Sequence, residues 1–405
     1  MGTHHLPGTL DWARSAAGSA PRLHREGRRF ESGRAHVRLA DLVDRLDSWF
    51  PPELAEPWDA VGLAFGDPEA DVRSVLLAVD PTATVAAQAQ ELGADLLLTH
   101  HPLWLTGVTA LRGAKGRLAQ ALISSGTALF NAHTNADRAQ PGVNDALAAA
   151  LGLRDAEPLE RRHATLLRLT VYVPPGDRET LIDALSEAGA GSIGDYDRCA
   201  YSTPGQGTFR PLLGADPHIG TVGHVERVVE DRLELVLPTH RRDAVTAALR
   251  RAHPYEEPAY DFTQITRPDD GVGLGRVGVV QPQSLAEFAA SVRSALPATA
   301  AGVRFAGDPE AVVSRVAVVG GSGGSELAAA SAVADVLVTA DLKHHTVDEH
   351  LAEGGCAVVE VAHWASEWPW CPATARRLQA LGLHTHVSTL VTDPWTGHVG
   401  GAHEG

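Results

Sequence analysis

Hydrophobic runs and amphipathic segments alternate along the chain from about residue 37. "VRLADLVDRLDSWF" (37–50) has apolar residues at helical spacing. The segments after it alternate between strand and helix patterns: "SVLLAVD" (74–80), "PTATVAAQAQELG" (81–93), "ADLLLTHH" (94–101), "GRLAQALISSG" (116–126) and "TALFNAHTNAD" (127–137). Strands that alternate with helices predict a mostly parallel sheet with helices on both of its faces.

The C-terminal part of the chain repeats this order of elements. "RVAVVGGSGGSELAAASAVADVLVTAD" (315–341) has the pattern strand, glycine-rich turn, helix, strand, and its "ADVLVT" nearly matches the earlier "ADLLLT". In both parts a glycine and a further apolar strand follow, and that strand ends in His-x-x-x-acid. We interpret this similarity as an internal duplication of a βαβ unit. The alternative is that all parallel βα units share such a pattern.

Residues 163–265 have a different pattern, which predicts a compact βαββαβ module. The predicted fold class is therefore α/β, with a duplicated βαβ-type three-layer domain and an inserted ferredoxin-like domain. The predicted boundaries are a disordered extension over 1–36, the first half of the α/β domain over 37–162, the insert over 163–265, and the second half over 266–405.

Composition excludes several classes of function. The net charge of −16 disfavours a nucleic-acid surface, because phosphate binding requires clustered lysine and arginine. No apolar stretch is long enough to predict a membrane span. The three cysteines form no CxxC pair and no even framework, which predicts a cytoplasmic protein in a reducing compartment.

Histidines and acids follow several of the predicted strands. They are the adjacent His100 and His101, His133 with Asp137, and His363 with Glu367. Open α/β sheets place their binding sites at the carboxyl ends of strands, so these groups can converge in one crevice. Imidazole and carboxylate are ligands for divalent metals, and two adjacent histidines at a strand end suit a two-metal site. The alternative for each histidine is an ordinary loop residue, and for each acid a first-turn partner of the helix dipole.

Three other motifs give weaker signals. "GLGRVG" (273–278) precedes a strand pattern and not a helix, so a dinucleotide-binding loop is rejected. "GGSGG" (320–324) lies between strand and helix, where it can form an anion-binding loop or a simple tight turn. "HPYEEPAYD" (253–261) contains His253, Glu256 and Glu257, and its prolines favour a structural turn over a metal site.

The ordered set of motifs resembles the Nif-three-like dinuclear metal centre family, the GTP cyclohydrolase 1 type 2 homologues. The matching segments are "EPWDAVGLAFGD" (56–67), "LLLTHHPLW" (96–104), "NAHTNADRAQPGVNDALA" (131–148), "GGSGGS" (320–325), "TADLKHH" (339–345) and "AHWASE" (362–367). The middle segment is similar to the PII-like or CutA-like insert of longer members. The chain departs from the family pattern at Ala60, Ala340, Ala362, His344 and Thr346.

The resemblance implies a metal centre with two divalent ions per chain, of zinc, manganese, iron, cobalt or nickel. The implied ligands are His100, His101, Asp137, His363 and Glu367, with Glu367 as the bridge. His133 is implied as a further ligand or as a residue that orients one. The resemblance also implies a homohexameric toroid.

The predicted function is metal-dependent hydrolysis of a nucleotide-like small molecule by a metal-bridged hydroxide, similar to GTP cyclohydrolase 1 type 2. His345 and Asp341 are candidates for proton transfer or substrate contact. No cofactor-binding residues other than the metal ligands are predicted. The alternatives are a non-catalytic protein for metal delivery or storage, and a regulatory scaffold whose insert senses a ligand.

Overall fold

The computed structural model describes residues 36–161, 165–194, 196–266 and 271–399. Nearly all of the predicted disordered extension therefore lies outside the described residues. The helices are α1 Leu39–Trp49, α2 Ala83–Leu92, α3 Gly113–Ser125, α4 Thr134–Arg138, α5 Val143–Ala150, α6 Arg178–Glu187, α7 Arg242–Ala252, α8 Leu285–Ala295, α9 Leu327–Ser331, α10 His344–Ala352, α11 His363–Glu367 and α12 Trp370–Ala380.

In the described part of the chain the strands form four sheets, which together with the helices make a mixed α/β fold. The strands are β1 Val37–Arg38, β2 Gly62–Phe65, β3 Asp71–Val72, β4 Ser74–Ala78, β5 Leu96–Thr99, β6 Ala128–Asn131, β7 Arg154–Arg161, β8 Thr165–Val173, β9 Ala200–Phe209, β10 Glu226–Pro238, β11 Tyr260–Thr266, β12 Gly273–Ser284, β13 Arg304–Ala306, β14 Val312–Ser322, β15 Val336–Ala340, β16 Ala357–Glu360 and β17 His384–Val387. Strands β1 and β3 pair with each other in a small two-stranded sheet.

A five-stranded sheet has the order β17-β4-β5-β6-β2. Strands β17, β4, β5 and β6 are parallel, and β2 runs antiparallel at the edge. All four residues of β5 are buried, because this strand is covered on both faces of the sheet. Helices α2 and α3 cover one face, where their apolar residues pack against alternate residues of β4, β5 and β6.

A six-stranded sheet has the order β13-β16-β15-β14-β12-β7. Strands β14, β15 and β16 are parallel, and the other three are antiparallel to their neighbours. The two large sheets exchange strands, since β7 precedes residue 162 in the chain but pairs with β12, and β17 near the C-terminus pairs with β4. One hydrophobic core, which includes Phe130, Val316 and Trp370, joins residues from both sheets.

Corresponding positions in the two sheets make corresponding hydrogen bonds. The Asp95 carboxylate accepts backbone N–H groups at the start of β4, from residues 73 and 74. The Asp335 carboxylate accepts those of residues 314 and 315 in β14. The backbone N–H of Ala132 also donates to the carbonyl of Thr99, as that of Val361 does to the carbonyl of Thr339. Asp95 and Thr99 of "ADLLLT" align with Asp335 and Thr339 of "ADVLVT".

Residues 165–266 form a four-stranded antiparallel sheet with the order β11-β8-β10-β9. Its elements follow one another as strand, helix, strand, strand, helix, strand. The glycine-rich "GQGTF" (205–209) lies inside strand β9. Helices α6 and α7 pack on one face through a separate core that includes Leu181, Leu233 and Leu249. No helix in the described part of the chain has the length and apolarity that a bilayer crossing requires.

Candidate metal centre

The first group of site residues follows the strands of the five-stranded sheet. Strand β5 ends at Thr99, and His100 and His101 come directly after it. The Thr99 hydroxyl donates to the carbonyl of His101 over 2.8 Å, which holds the bend at the strand end. His133 follows β6, and Asp137 lies within α4. Because β5 and β6 are adjacent and parallel, these residues emerge at the same edge of the sheet.

The second group comes from the six-stranded sheet. His363 and Glu367 are the first and last residues of α11, which follows β16. Their spacing of four residues places both side chains on one face of the helix. The distance between His363 Nε2 and Glu367 Oε1 is accordingly 2.9 Å.

The two groups meet, and Glu367 lies at the centre of the cluster. Its carboxylate oxygens are 3.3 Å from Nε2 of His100 and 3.3 Å from Nε2 of His101. The Nε2 atoms of His101 and His363 are 3.3 Å apart. Asp137 Oδ1 is 3.7 Å from His100 Nε2. The ring of His133 packs against those of His100 and His101, with centroid distances of 5.2 and 5.4 Å.

Each histidine of the cluster is oriented by an acceptor at its other ring nitrogen. Nδ1 of His100 donates to the carbonyl of Ala132 over 2.9 Å, and Nδ1 of His101 donates to Asp80 over 2.6 Å. With the hydrogen on Nδ1, the neutral imidazole keeps its lone pair on Nε2, the atom that points into the cluster.

The other two rings follow the same rule. Nδ1 of His133 donates to Asp59 over 2.9 Å, and Nδ1 of His363 donates to Asp341 over 2.6 Å. Asp59 is itself held by the backbone N–H and the hydroxyl of Thr134. Such acceptors fix the tautomer and raise the basicity of histidines that bind metals.

Sequence reasoning did not identify Asp59 and Asp80 as site residues. Asp80 lies two residues after the end of β4, so the strand-end rule that selected His100 could also have found it. Asp59 lies in the "WDAVGL" segment, which pointed to the family and not to a chemical role for the aspartate. No local periodicity predicts the hydrogen bond of Asp59 with His133 or that of Asp80 with His101, because each joins residues far apart in the sequence.

The two residues predicted for proton transfer or substrate contact lie in different places. Asp341 follows β15 and accepts the Nδ1–H of His363, so it acts on the cluster through that ring. His345 is exposed on the first turn of α10, where its ring packs against His344 at a centroid distance of 5.1 Å. Within the described chain, His345 lines neither the cluster nor the cavity beside it.

The acids and imidazoles of the cluster shift one another's pKa values. Burial opposes charge on Glu367, but His101, His100 and His363 outweigh it and hold the pKa of Glu367 well below its usual range. Burial likewise opposes charge on His101, yet the Glu367 and Asp80 carboxylates raise the pKa of that ring to about 11. The pKa of His363 rises to about 9, also because of Glu367. Burial raises the pKa of Asp137.

Two observations test whether these residues fit a divalent cation. His100 Nε2, Asp137 Oδ1 and Glu367 Oε2 are buried and have no hydrogen-bond partner among the described residues, which is costly unless another group satisfies them. A cation placed between them would satisfy all three. In addition, a Cβ atom on Gly321 would lie 2.5 Å from Glu367 Oε1, so the glycine leaves room that the carboxylate needs. The residues fit a metal site, and Gly321 at the end of β14 lies against it. The first three residues of "GGSGG" therefore continue the strand and do not form a turn.

A cavity of about 740 Å³ opens beside the cluster. His101 and His363 lie on its wall with their partners Asp80 and Asp341. Residues of the C-terminal segment 392–398 also line the cavity, among them Trp395, whose side chain is largely exposed. Thr392 donates a hydrogen bond to Asp80, which ties this segment to the cluster. The cavity is large enough for a small-molecule ligand.

The chain belongs to the Duf34/NIF3 (NGG1p interacting factor 3) family, whose model matches residues 37–394. The family predicted from the motifs is therefore confirmed.

Relatives of this chain bear the name GTP cyclohydrolase 1 type 2 homolog. The one from Mycobacterium tuberculosis is 51% identical over 370 residues, which cover 89% of this chain and 97% of the relative. The one from Bacillus subtilis is 37% identical, and the matched residues cover 89% of this chain and 98% of that relative. A Bacillus cereus protein related to NIF3 has a similar structure, with a TM-score of 0.68, 34% identity and coverage of 89% and 99%.

Proposed function

We propose that the cluster is a dinuclear metal centre and that the protein is a metal-dependent hydrolase for a nucleotide-like small molecule. The observation that supports the proposal is the convergence of imidazole Nε2 atoms and carboxylates from both sheets, in which buried atoms of His100, Asp137 and Glu367 make no hydrogen bond with the described residues. The ligands would be His100, His101, Asp137, His363 and Glu367. Glu367 is the proposed bridge, because its carboxylate lies within 3.3 Å of imidazole nitrogens from three histidines.

The proposed architecture assigns each half of the α/β domain one part of this centre. Residues 37–162 would supply His100, His101 and Asp137, and residues 266–405 would supply His363 and Glu367. The matching hydrogen bonds of Asp95 and Asp335 support an origin by duplication. Residues 163–265 would then be an inserted ferredoxin-like module. We further propose that the chain forms the homohexamer implied by the family resemblance.

Divalent ions bound in this cluster would supply Lewis acidity and make water acidic enough to attack at neutral pH. The chain's own residues would do the positioning. Asp80 and Asp341 hold the rings of His101 and His363 through their Nδ1–H groups, so both Nε2 lone pairs face the centre. The cavity beside these rings would admit the substrate. The indole of Trp395 offers a flat apolar surface on which a purine ring could stack.

The alternative function with support from the site is metal delivery or storage without turnover. His363 is about one-third exposed and lies on the cavity wall, so an ion bound to it could exchange through the opening. A delivery or storage protein would exchange metal without converting a nucleotide, whereas a hydrolase would form a product. Nucleotide assays can therefore distinguish the two functions.

The test combines metal analysis with a substrate screen on the full-length protein. Wild type and Glu367→Gln are purified, loaded separately with zinc, manganese, iron, cobalt or nickel, and dialysed. Bound metal per chain is then measured by mass spectrometry. We expect two ions per chain in the wild type and fewer than one in Glu367→Gln, because glutamine removes the negative charge without a large change in volume. His240→Ala, an exposed histidine in the middle module, should match the wild type.

The same preparations are then incubated with GTP and other nucleotides and analysed by chromatography. Loss of a product in Glu367→Gln, with its fold intact by circular dichroism, would support hydrolysis. Two bound ions without any product would favour the delivery alternative. A wild type that retains no divalent metal would refute both functions.

A further inference from the structure

A second cavity, of about 670 Å³, lies on the open face of the sheet formed by residues 165–266. Side chains alternate across strand β10, so Leu233 and Leu235 pack under the helices while Glu230 and Arg232 point to the opposite face. That opposite face is the floor of the cavity. Its lining residues all lie between 172 and 259, so this cavity shares no residue with the metal centre.

Glu230 is a buried carboxylate on the cavity floor, with 8% of its surface exposed. Two nearby arginines pair with other acids, since Arg178 binds Asp231 and Arg232 binds Glu234. The residues that line the cavity include three carboxylates and two arginines, so the lining carries a net negative charge that a cationic occupant would balance. Burying an uncompensated carboxylate is unfavourable, so a site with this composition favours a positively charged occupant.

The neighbouring strand leaves space for this carboxylate by means of glycine. A Cβ atom on Gly207 of strand β9 would lie 1.9 Å from Glu230 Oε2. Any other residue at position 207 would displace the Glu230 side chain from its place. Gly207 belongs to the glycine-rich segment "GQGTF" within strand β9.

Aromatic rings surround the other side of the cavity. Tyr255 lies 6.1 Å from Phe209 and 6.2 Å from His218, measured between ring centroids. The Tyr255 hydroxyl is buried and has no hydrogen-bond partner in the part of the chain that the structure describes. Burial and the neighbouring Glu230 carboxylate both raise the pKa of this hydroxyl, so it stays neutral and can donate or accept a hydrogen bond.

The "HPYEEP" segment holds Tyr255 in position as a structural turn. His253 Nε2 donates to the carbonyl of Tyr172 over 2.9 Å, and its Nδ1 accepts the backbone N–H of Tyr255 over 3.1 Å. Both ring nitrogens of His253 are therefore used, so the ring has no lone pair for a metal. The structure thus agrees with the turn predicted from the prolines.

We propose that this cavity binds a small organic cation, an amine or a guanidinium attached to an apolar or planar body. The cationic head would pair with Glu230, and the body would pack among Tyr255, Phe209 and His218. A carboxylate combined with aromatic faces is the arrangement that attracts such cations, because the ring quadrupole adds to the ion pair. The volume is that of a small-molecule pocket. This site is separate from the proposed metal centre and does not depend on it.

The experiment measures binding of three probes to the full-length protein by isothermal titration calorimetry. Benzylammonium and agmatine are the cationic probes, and benzyl alcohol is a neutral molecule of nearly the same shape as benzylammonium. We expect saturable binding of at least one cation and at least about tenfold weaker binding of benzyl alcohol. A charge-assisted pair contributes about 1.5–3 kcal/mol, which corresponds to roughly a tenfold change or more.

Two variants distinguish the site from a general effect of charge. Glu230→Gln should weaken binding of the cation at least about tenfold, whereas Asp261→Asn, which removes an exposed acid from strand β11 outside the cavity lining, should leave it unchanged. Tyr255→Phe should weaken binding less than Glu230→Gln while preserving the turn.

Equal binding of benzylammonium and benzyl alcohol, equal effects of Glu230→Gln and Asp261→Asn, or no saturable binding of either cation would each overturn the proposal. Metal content is measured in the same samples. It should stay at the wild-type value in Glu230→Gln, so a failure of this proposal is distinguishable from a failure of the metal centre.

Discussion

Replacement of Gly321 by alanine tests the packing around Glu367 without changing any proposed ligand. Gly321 has a φ of +71°, and an added Cβ would lie 2.5 Å from Glu367 Oε1 and 3.2 Å from His363 Nε2. The first of these distances is too short for a nonbonded contact. Glu367 is buried on α11, so its carboxylate would have to move away from the imidazoles that it now approaches.

The substitution has two separate effects of known size. A left-handed backbone conformation costs a residue with a Cβ about 1–2 kcal/mol, which reduces the free energy of unfolding. Displacement of the carboxylate should reduce metal affinity by at least about tenfold, which corresponds to about 1.4 kcal/mol. The first effect follows from φ alone, and the second depends on the neighbouring Glu367.

Gly126→Ala is the matched control, because Gly126 has a φ of +77° and a Cβ added there would have no described atom within 4 Å. Both variants should lose similar free energy of unfolding in urea, measured on metal-free protein. Metal affinity, measured by competition with a chromogenic chelator, should fall only in Gly321→Ala. If the two variants bind metal equally well, Glu367 does not need the space at Gly321 and the proposed role of this carboxylate is wrong.

Two further predictions concern protons and buried charge. Because carboxylates raise the pKa of His101 to about 11 and that of His363 to about 9 in the metal-free protein, both rings are protonated at pH 7 and must lose their protons to bind a cation. Zinc affinity should therefore rise as the pH increases from 6 to 8. Calorimetry in buffers of different ionisation enthalpy should show that zinc binding releases protons. Zinc binding without proton release would contradict the raised pKa values of His101 and His363. Arg276 is fully buried and pairs with Asp145 through two hydrogen bonds of 2.7 Å, so Asp145→Ala should reduce the free energy of unfolding by about 3–5 kcal/mol in urea denaturation. A loss below about 1 kcal/mol would show that Arg276 finds another partner.

The position of the proposed metal centre depends on contacts between the two large sheets. His101 and His363 are separated by 262 residues in the chain, and their Nε2 atoms are 3.3 Å apart. The pairings of β7 with β12 and of β17 with β4 also connect the chain segments that build the two sheets. Metal bound between residues of both sheets should therefore stabilise their packing, since a ligand that binds only the folded state adds to its stability.

Much of the secondary structure follows from the sequence, because hydrophobic periodicity is a local property. The run "LLLT" is buried on both faces as strand β5, and the helical spacing after residue 37 corresponds to α1. The same locality explains why His100, His101, His363 and Glu367 could be selected as candidates. Each follows a strand, and parallel strands of one sheet end at a common edge.

The tertiary structure decided which groups meet and in what orientation. The ring partner Asp59, the space at Gly321 and the carboxylate of Glu230 facing aromatic rings are not visible in any local pattern. The exchange of β7 and β17 is likewise a pairing between distant segments. Sequence periodicity determines which face of an element is apolar, but hydrogen bonds and steric contacts between distant residues exist only once the sheets have packed together.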